Sequence, residues 1–277
     1  MVSKAKAAKP RRATKWLVFV DTNVLLDLYR LPGASAKRTL AALERHQESL
    51  ILTDQVWMEF QKHRQKVISE TIKTITKPAQ HNMSSVVKEL PAGKQFLKHQ
   101  EGALNVYNKL IKAIEKLLKN PQTDPLYQCL KRMFASNATY NLKRPNNRRY
   151  VMRRLAQKRF NLGYPPRKET WHLGDATNWE WIIECAKIST CNVVIVSRDG
   201  DFGLTYRQEC ILNDWLRMEF KERVSRKRNI ELTNKLSTAL KKLHIPLTRG
   251  DVAEENKLLI SASELPDKAV FVSQVSP

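Results

Sequence analysis

The sequence predicts an α/β fold, with a parallel-sheet core covered by helices and a large basic all-helical insertion. Short apolar runs at 16–20, 50–53 and 192–197 alternate with stretches of helical periodicity, an order typical of parallel sheets. Residues from about 82 to 160 are rich in lysine and contain no convincing strand. Only eight of the 277 residues are glycine, which suits a packed and largely helical globule.

The core begins with an apolar run that ends abruptly in polar residues. Trp16–Val20 is followed by Asp21, Thr22 and Asn23, so we expect a buried strand that delivers polar side chains at its carboxyl end. Helical spacing resumes at once and again over 36–47, before the strand at 50–53.

The remaining elements follow from the same periodicities. Asp54 to about Ile75 is predicted to be a long helix with Glu59 and Phe60 on one side. After the insertion we expect a helix over 174–189, a strand over 192–197, a loop over 198–203, a helix over 206–223 and one more strand or helix within 229–243. The last thirty residues are weakly patterned.

The domain boundaries follow from composition. They predict a flexible basic tail at 1–15, a discontinuous core over 16–62 and 169–222, a basic helical insertion over 63–168 and a C-terminal extension over 223–277. The chain has no apolar run of about 18 residues and no secretory signal, so we expect a cytoplasmic protein without a membrane span. Its four cysteines never approach C-x-x-C spacing, which argues against structural zinc.

The charge is strongly uneven along the chain. Lys and Arg number 49 against 27 Asp and Glu, a formal net charge of +22. Residues 60–170 hold 24 basic and 6 acidic residues, a surplus of 18, whereas 16–59 and 171–216 are net acidic. A surplus of this size predicts a polyanionic partner, with nucleic acid favoured over an anionic membrane.

Four acids fall where parallel-sheet topology brings side chains together: Asp21, Glu59, Asp175 and Asp199. Each has an ordinary alternative, since Asp175 could cap a helix, Asp199 could belong to a turn and Glu59 could be a solvated helix charge. An all-oxygen cluster without His or Cys suits Mg²⁺ or Mn²⁺, and two such ions can support phosphodiester hydrolysis.

Around these acids the sequence resembles PIN-domain nucleases, in particular the PIN-like group with a long helical insertion found in bacteria. The matching segments are Val20–Asn23, Asp54–Phe60, Gly174–Trp181 and Val196–Phe202. The resemblance covers roughly 16–60 and 171–222. It implies a PIN-like core with metal-binding, catalytic carboxylates at Asp21, Glu59, Asp175 and Asp199. Asn23 and Ser197 are implied as polar supports, and Asp201 competes with Asp199 for the fourth ligand position.

The resemblance also implies an activity. It points to a metal-dependent nuclease that prefers RNA to DNA, with endoribonuclease activity and a toxin or anti-phage role as expectations from the family alone. An inhibitory or defence-system protein partner and a homo-oligomer remain open. The rival hypothesis is a catalytically silent nucleic-acid-binding protein in which the acids merely cap helices.

The most basic stretch of the insertion is a candidate nucleic-acid contact. Its residues are Arg148, Arg149, Arg153, Arg154, Lys158 and Arg159, and the path could continue through Arg167 and Lys168. The first four arginines form two adjacent pairs with no acid nearby in the sequence, so we expect them to contact phosphates. For the interleaved Tyr150, Leu155 and Phe160, helical periodicity favours core positions over base stacking.

Overall fold

The computed structural model describes residues 15–166 and 172–263. In this part of the chain the strands are Trp16–Val20 (β1), Leu50–Thr53 (β2), Asn141–Leu142 (β3), Asn192–Val196 (β4), Gly203–Tyr206 (β5), Glu209–Leu212 (β6) and Ile230–Thr233 (β7).

The α-helices begin with Thr22–Leu26 (α1), Gly33–Arg45 (α2), Asp54–Thr74 (α3), Ser85–Glu89 (α4), Pro91–Lys119 (α5) and Pro125–Ala135 (α6). They continue with Arg148–Asn161 (α7), Gly174–Ile188 (α8), Asp214–Arg223 (α9), Leu236–Lys242 (α10) and Arg249–Ser263 (α11). None of the described helices is long and apolar enough to cross a membrane.

A parallel five-stranded sheet in the order β3-β2-β1-β4-β7 forms the centre of the protein. Strands β1 and β4 are fully buried at the middle of this sheet apart from Trp16, and helices cover both. Because all five strands are parallel, their carboxyl ends meet at one edge, where loops gather functional groups. The predicted fold class, a parallel sheet covered by helices, is confirmed.

The insertion departs from the all-helical prediction at one point, because β3 lies within it. Asn141 and Leu142 pair with Leu52 and Thr53 of β2 and extend the core sheet by one edge strand. Two residues give no periodic signal, so the strand exists only because β2 offers it backbone partners. The preceding helix α6 also packs into the core, with Leu130 and Met133 almost completely buried.

A buried ion pair on the insertion is tied to the core by the Tyr29 hydroxyl. The Arg64 guanidinium on α3 contacts the Asp124 carboxylate at 2.7 Å, and Asp124 also accepts a hydrogen bond from the Tyr29 hydroxyl at 2.5 Å. Arg64 donates further to the carbonyl of Leu117, at the end of α5. A buried charge is tolerated when it is paired and hydrogen-bonded in this way.

The predicted helix over 206–223 is wrong in its first part. Strands β5 and β6 form an antiparallel hairpin there, and only α9 is helical. The hairpin turns through Arg207 and Gln208, which both have positive φ angles. Two-residue hairpin turns usually carry Asn or Gly at such positions, so the sequence contained no turn signal.

The C-terminal extension contributes to the same body as the core. Strand β7 pairs with β4, and α10 and α11 follow it. Glu255 of α11 accepts the backbone N–H groups of Leu236 and Ser237, which caps the start of α10. Asp251 of α11 accepts from Arg38 of α2. The sheet therefore continues past residue 222, where the composition had suggested that the core ends.

Candidate active site

Asp21 lies at the carboxyl end of β1 and is almost completely buried. Its Oδ1 accepts the N–H of Thr22 at 2.7 Å. Its Oδ2 accepts the Ser197 hydroxyl at 2.5 Å and the Asn23 side-chain amide at 3.1 Å. Both polar residues that the sequence suggested as supports therefore contact this carboxylate directly.

The environment of Asp21 disfavours its charge. Burial raises the pKa of Asp21 to about 6, while the hydrogen bond from Ser197 lowers it and the charges of Asp199 and Glu59 raise it. Three of the four predicted acids thus interact electrostatically at one place. Converging carboxylates repel one another unless a cation neutralises them.

Glu59 lies on α3 and is held by two neighbours that the sequence analysis did not single out. The Thr22 hydroxyl donates to Glu59 Oε2 at 3.0 Å, and the Gln55 side-chain amide donates to Oε1 at 2.6 Å. The i, i+4 spacing of Gln55 and Glu59 on a predicted helix was a usable signal. The Thr22 contact depends on how α1 meets α3.

Gly174 brings the start of α8 against Glu59. A β-carbon at this position would lie 2.5 Å from Glu59 Oε1 and 3.0 Å from Gln55 Nε2. Real β-carbons essentially never approach a heavy atom this closely, so glycine permits the contact. The next residue, Asp175, is buried in the first turn of α8, and it therefore follows directly on the backbone that touches Glu59.

The loop after β4 carries Asp199 and Asp201. The Asp199 N–H donates to the Ser197 hydroxyl oxygen at 3.1 Å, so the same hydroxyl contacts Asp21 and orders this loop. The guanidinium of Arg198 pairs with Asp27. Asp199 is exposed and Asp201 is half-buried. Of the two, Asp199 is the acid whose charge raises the pKa of Asp21.

The donor set suits a hard divalent cation. It consists of carboxylate oxygens assembled from β1, α3, α8 and the loop after β4, without His or Cys. Among the described residues, no three His, Cys, Asp or Glu side chains already form a closed metal-ligand group. Carboxylates that share a site repel one another, and a divalent cation would neutralise this repulsion.

The arginines of α7 divide into two groups. Arg148, Arg153 and Arg154 are exposed, as is Lys158. Arg149 is half-buried and pairs with Asp54 at 2.9 Å, and Arg153 lies 3.6 Å from the same carboxylate. No acid lies near these arginines in the sequence, but Asp54 approaches them in space from the start of α3.

Arg159 is not a surface residue, which corrects its assignment as a nucleic-acid contact. It is only 4% exposed, and its guanidinium pairs with Glu180 at 2.9 Å and with Glu219. Those partners lie on α8 and α9, too far along the chain for local spacing to reveal them. Arg167 and Lys168 lie outside the described residues.

One aromatic residue of α7, Tyr150, also differs from expectation. Tyr150 is 62% exposed and the Arg149 guanidinium lies 5.1 Å from its ring centroid, so it is not a core residue. Leu155 packs partly buried against the core, as the helical periodicity predicted.

Comparison with known families agrees with this geometry. A family model described as PIN domain matches residues 18–202, which span β1 to the loop after β4 and include all four acids. The chain belongs to the PIN-domain family. PIN domains are usually metal-dependent nucleases, generally ribonucleases, and typically use divalent metals such as Mg²⁺ or Mn²⁺. No curated protein and no solved structure gives a significant match to the chain.

Proposed function

We propose that this protein is an endoribonuclease that hydrolyses phosphodiester bonds with Mg²⁺ or Mn²⁺ held by Asp21, Glu59, Asp175 and Asp199. The observation that carries the proposal is the buried Asp21 carboxylate, on which Ser197 and Asn23 converge and whose pKa the charges of Glu59 and Asp199 raise. A buried carboxylate close to other carboxylates is unfavourable by itself, so this arrangement indicates a site for a cation.

The residues have separate tasks in this proposal. A divalent metal held by these four carboxylates would supply an activated water and would neutralise charge on the leaving oxygen. Ser197 and Asn23 orient Asp21 by donating hydrogen bonds to it, and Gln55 and Thr22 do the same for Glu59. Such outer hydrogen bonds fix ligand orientation and typically change metal affinity by about 10–100-fold.

The fourth ligand is proposed to be Asp199 rather than Asp201. The charge of Asp199 acts on Asp21, and the Ser197 hydroxyl joins the Asp199 backbone to the Asp21 carboxylate. Asp199→Asn is therefore the variant of this loop that tests the fourth metal ligand.

The finer biological expectations rest on the family resemblance. RNA as the preferred substrate, a toxin or anti-phage role, and an inhibitory partner belong to this group. The surplus of 18 positive charges in 60–170 supports a nucleic-acid substrate of either kind.

Purified protein should cleave single-stranded RNA in the presence of Mg²⁺ or Mn²⁺ and lose this activity in EDTA. Labelled RNA and DNA substrates of the same sequence, resolved on denaturing gels, measure both the metal requirement and the preference between them. Cleavage of a circular RNA, which has no ends, would establish endonucleolytic activity. Binding without cleavage under every metal condition would favour the catalytically silent nucleic-acid-binding protein instead.

Gly174→Ala should weaken metal binding by about 10–100-fold, because its methyl group displaces the Glu59 carboxylate from α8. Calorimetric titration with Mn²⁺ measures the affinity. Gly102→Ala is the control, since a β-carbon there meets nothing within 4 Å and alanine favours the helix. Equal Mn²⁺ affinities for the two variants would argue against Glu59 as a ligand.

Replacing Arg148 and Arg154 with Ala should reduce the salt dependence of RNA binding. Each lost phosphate contact lowers the slope of log affinity against log salt by roughly 0.7–0.9, so the double variant should lose about 1.4–1.8. Anisotropy titrations in EDTA at several salt concentrations measure the slope. Superimposable slopes for variant and wild type would show that these exposed arginines only solvate α7.

A further inference from the structure

A groove of about 650 Å³ lies at the carboxyl ends of β2 and β3. Asp54 follows β2 directly and Lys143 follows β3 directly, and both residues line the groove. The candidate metal ligands Asp21 and Asp199 follow the neighbouring strands β1 and β4. The groove and the candidate site therefore share one edge of the sheet, where adjacent strands are about 4.8 Å apart.

The polar wall of the groove is strongly basic. The cationic residues that line it are Lys131, Lys143, Arg144, Arg149 and Arg153, against the single acid Asp54. Asp54 is already paired with Arg149. The remaining cations leave a positive field that complements phosphate.

The apolar lining of the groove includes half-buried Trp57, buried Phe134 and exposed Met58. Trp57 stacks on Phe134 with ring centroids 5.4 Å apart and an interplanar angle of 23°, and both residues line the groove. Met58 beside them is 45% exposed. Because Phe60 also stacks on Trp57, the apolar contact offered to an unpaired base next to these cations is the accessible part of Trp57 together with the polarisable Met58 thioether.

Helix α3 separates the groove from the candidate site. Gln55 and Glu59 point to the site, because they contact each other and Glu59 also contacts Thr22. Asp54, Met58 and Gln61 line the groove on the adjacent face of the same helix. A nucleic-acid strand that crosses the first two turns of α3 would contact both the groove and the candidate metal site.

Two polar atoms in the wall of the groove lack a hydrogen-bond partner in the described part of the chain. Among the described residues, Asp54 Oδ1 and Arg149 Nε are buried without a hydrogen-bond partner. Unsatisfied buried polar atoms are uncommon in folded proteins. Both atoms belong to the ion pair of Asp54 and Arg149 that lines the groove.

We propose that this groove binds an unpaired base and its phosphate in a nucleic-acid strand whose scissile phosphate lies at the candidate metal site. The inference rests on the proposed function for the position of the scissile bond, but not for binding itself. It identifies the substrate as single-stranded beside the cleavage point, because a base can enter the groove only when it is unpaired.

Two groove variants and one control variant are compared in EDTA, where no metal-dependent cleavage occurs. Lys143→Glu/Arg144→Glu reverses the wall charge, and Lys109→Glu/Lys112→Glu makes the same charge change on exposed positions of α5 outside the groove. Met58→Lys adds positive charge but removes the apolar surface. The probe is labelled single-stranded RNA of about ten nucleotides, compared with its duplex.

We expect the groove charge reversal to weaken single-strand binding by about tenfold more than the α5 control. Met58→Lys should also weaken it several-fold, whereas binding by charge alone would make this variant bind more tightly. A photoreactive base next to the scissile bond should cross-link to the peptide that contains Trp57 and Met58. Equal binding of duplex and single strand, together with equal effects of both charge reversals, would overturn the proposal.

These results separate the groove from the chemistry. If the groove variants lose binding and the wild-type protein cleaves no substrate, the groove proposal stands and the nuclease proposal fails. If the wild-type protein cleaves RNA with metal and the groove variants change neither binding nor cleavage, the nuclease proposal stands and the groove proposal fails.

Discussion

Replacing Asp21 with Asn should lower cleavage at least about a thousandfold while leaving the fold and nucleic-acid binding in place. The amide keeps the shape of the side chain but loses the charge that holds a divalent cation, and a loss of about 4 kcal/mol of stabilisation corresponds to this factor. Asp21 lies between Ser197, Asn23 and the acids Glu59 and Asp199. Single-turnover cleavage of labelled RNA in saturating Mg²⁺ gives the rate.

Two companion variants make the result specific. Asp175→Asn should behave like Asp21→Asn, because it removes a second proposed ligand. Asp214→Asn is the matched control, since this acid is exposed at the start of α9 and should leave the rate unchanged. Full cleavage by the Asp21 variant, without metal, would contradict the proposed chemistry.

Arg159→Ala should destabilise the protein by about 3–5 kcal/mol, because it strips a buried cation from two carboxylates. Arg159 on α7 contacts Glu180 of α8 and Glu219 of α9, and Arg223 also contacts both acids at 2.6 Å. Burial opposes the charge of Glu180, but the hydrogen bonds and charges of Arg223 and Arg159 hold its pKa below the usual value. Without Arg159, α7 loses its ion pairs to α8 and α9, and among the described residues Arg223 alone remains to pair with the two acids.

Urea denaturation followed by circular dichroism measures this loss. Lys158→Ala is the control, because the neighbouring lysine is exposed and surface substitutions usually change stability by less than about 0.5 kcal/mol. If Arg159→Ala instead folded with unchanged stability and bound RNA weakly, the assignment of this arginine to the interior would be incorrect.

Parallel-sheet topology made most of the candidate site predictable. Asp21 and Asp199 follow apolar runs, and the carboxyl ends of parallel strands share an edge, so their proximity required no tertiary detail. The supports of Glu59 were different. Thr22 reaches it only because α1 packs against α3, and the close approach of Gly174 depends on where α8 begins relative to α3.

Local patterns were insufficient where pairing decides the structure. The hairpin of β5 and β6 has a turn through Arg207 and Gln208 that resembles a helical stretch in sequence. The edge strand β3 consists of two residues whose conformation depends on β2. In both cases the stabilising hydrogen bonds come from another strand, and a single-segment pattern cannot represent them.

The sequence by itself determined the α/β class, the central strands and the four acids, because apolar periodicity and strand-end positions are local properties. Only the tertiary structure decided which positive charges remain available to a ligand. Arg154 and Arg159 are five residues apart in one basic helix, yet one is exposed and the other is buried between Glu180 and Glu219. The physical reason is that a charge is neutralised by its spatial neighbours, and these neighbours come from α8 and α9, 21 and 60 residues further along the chain.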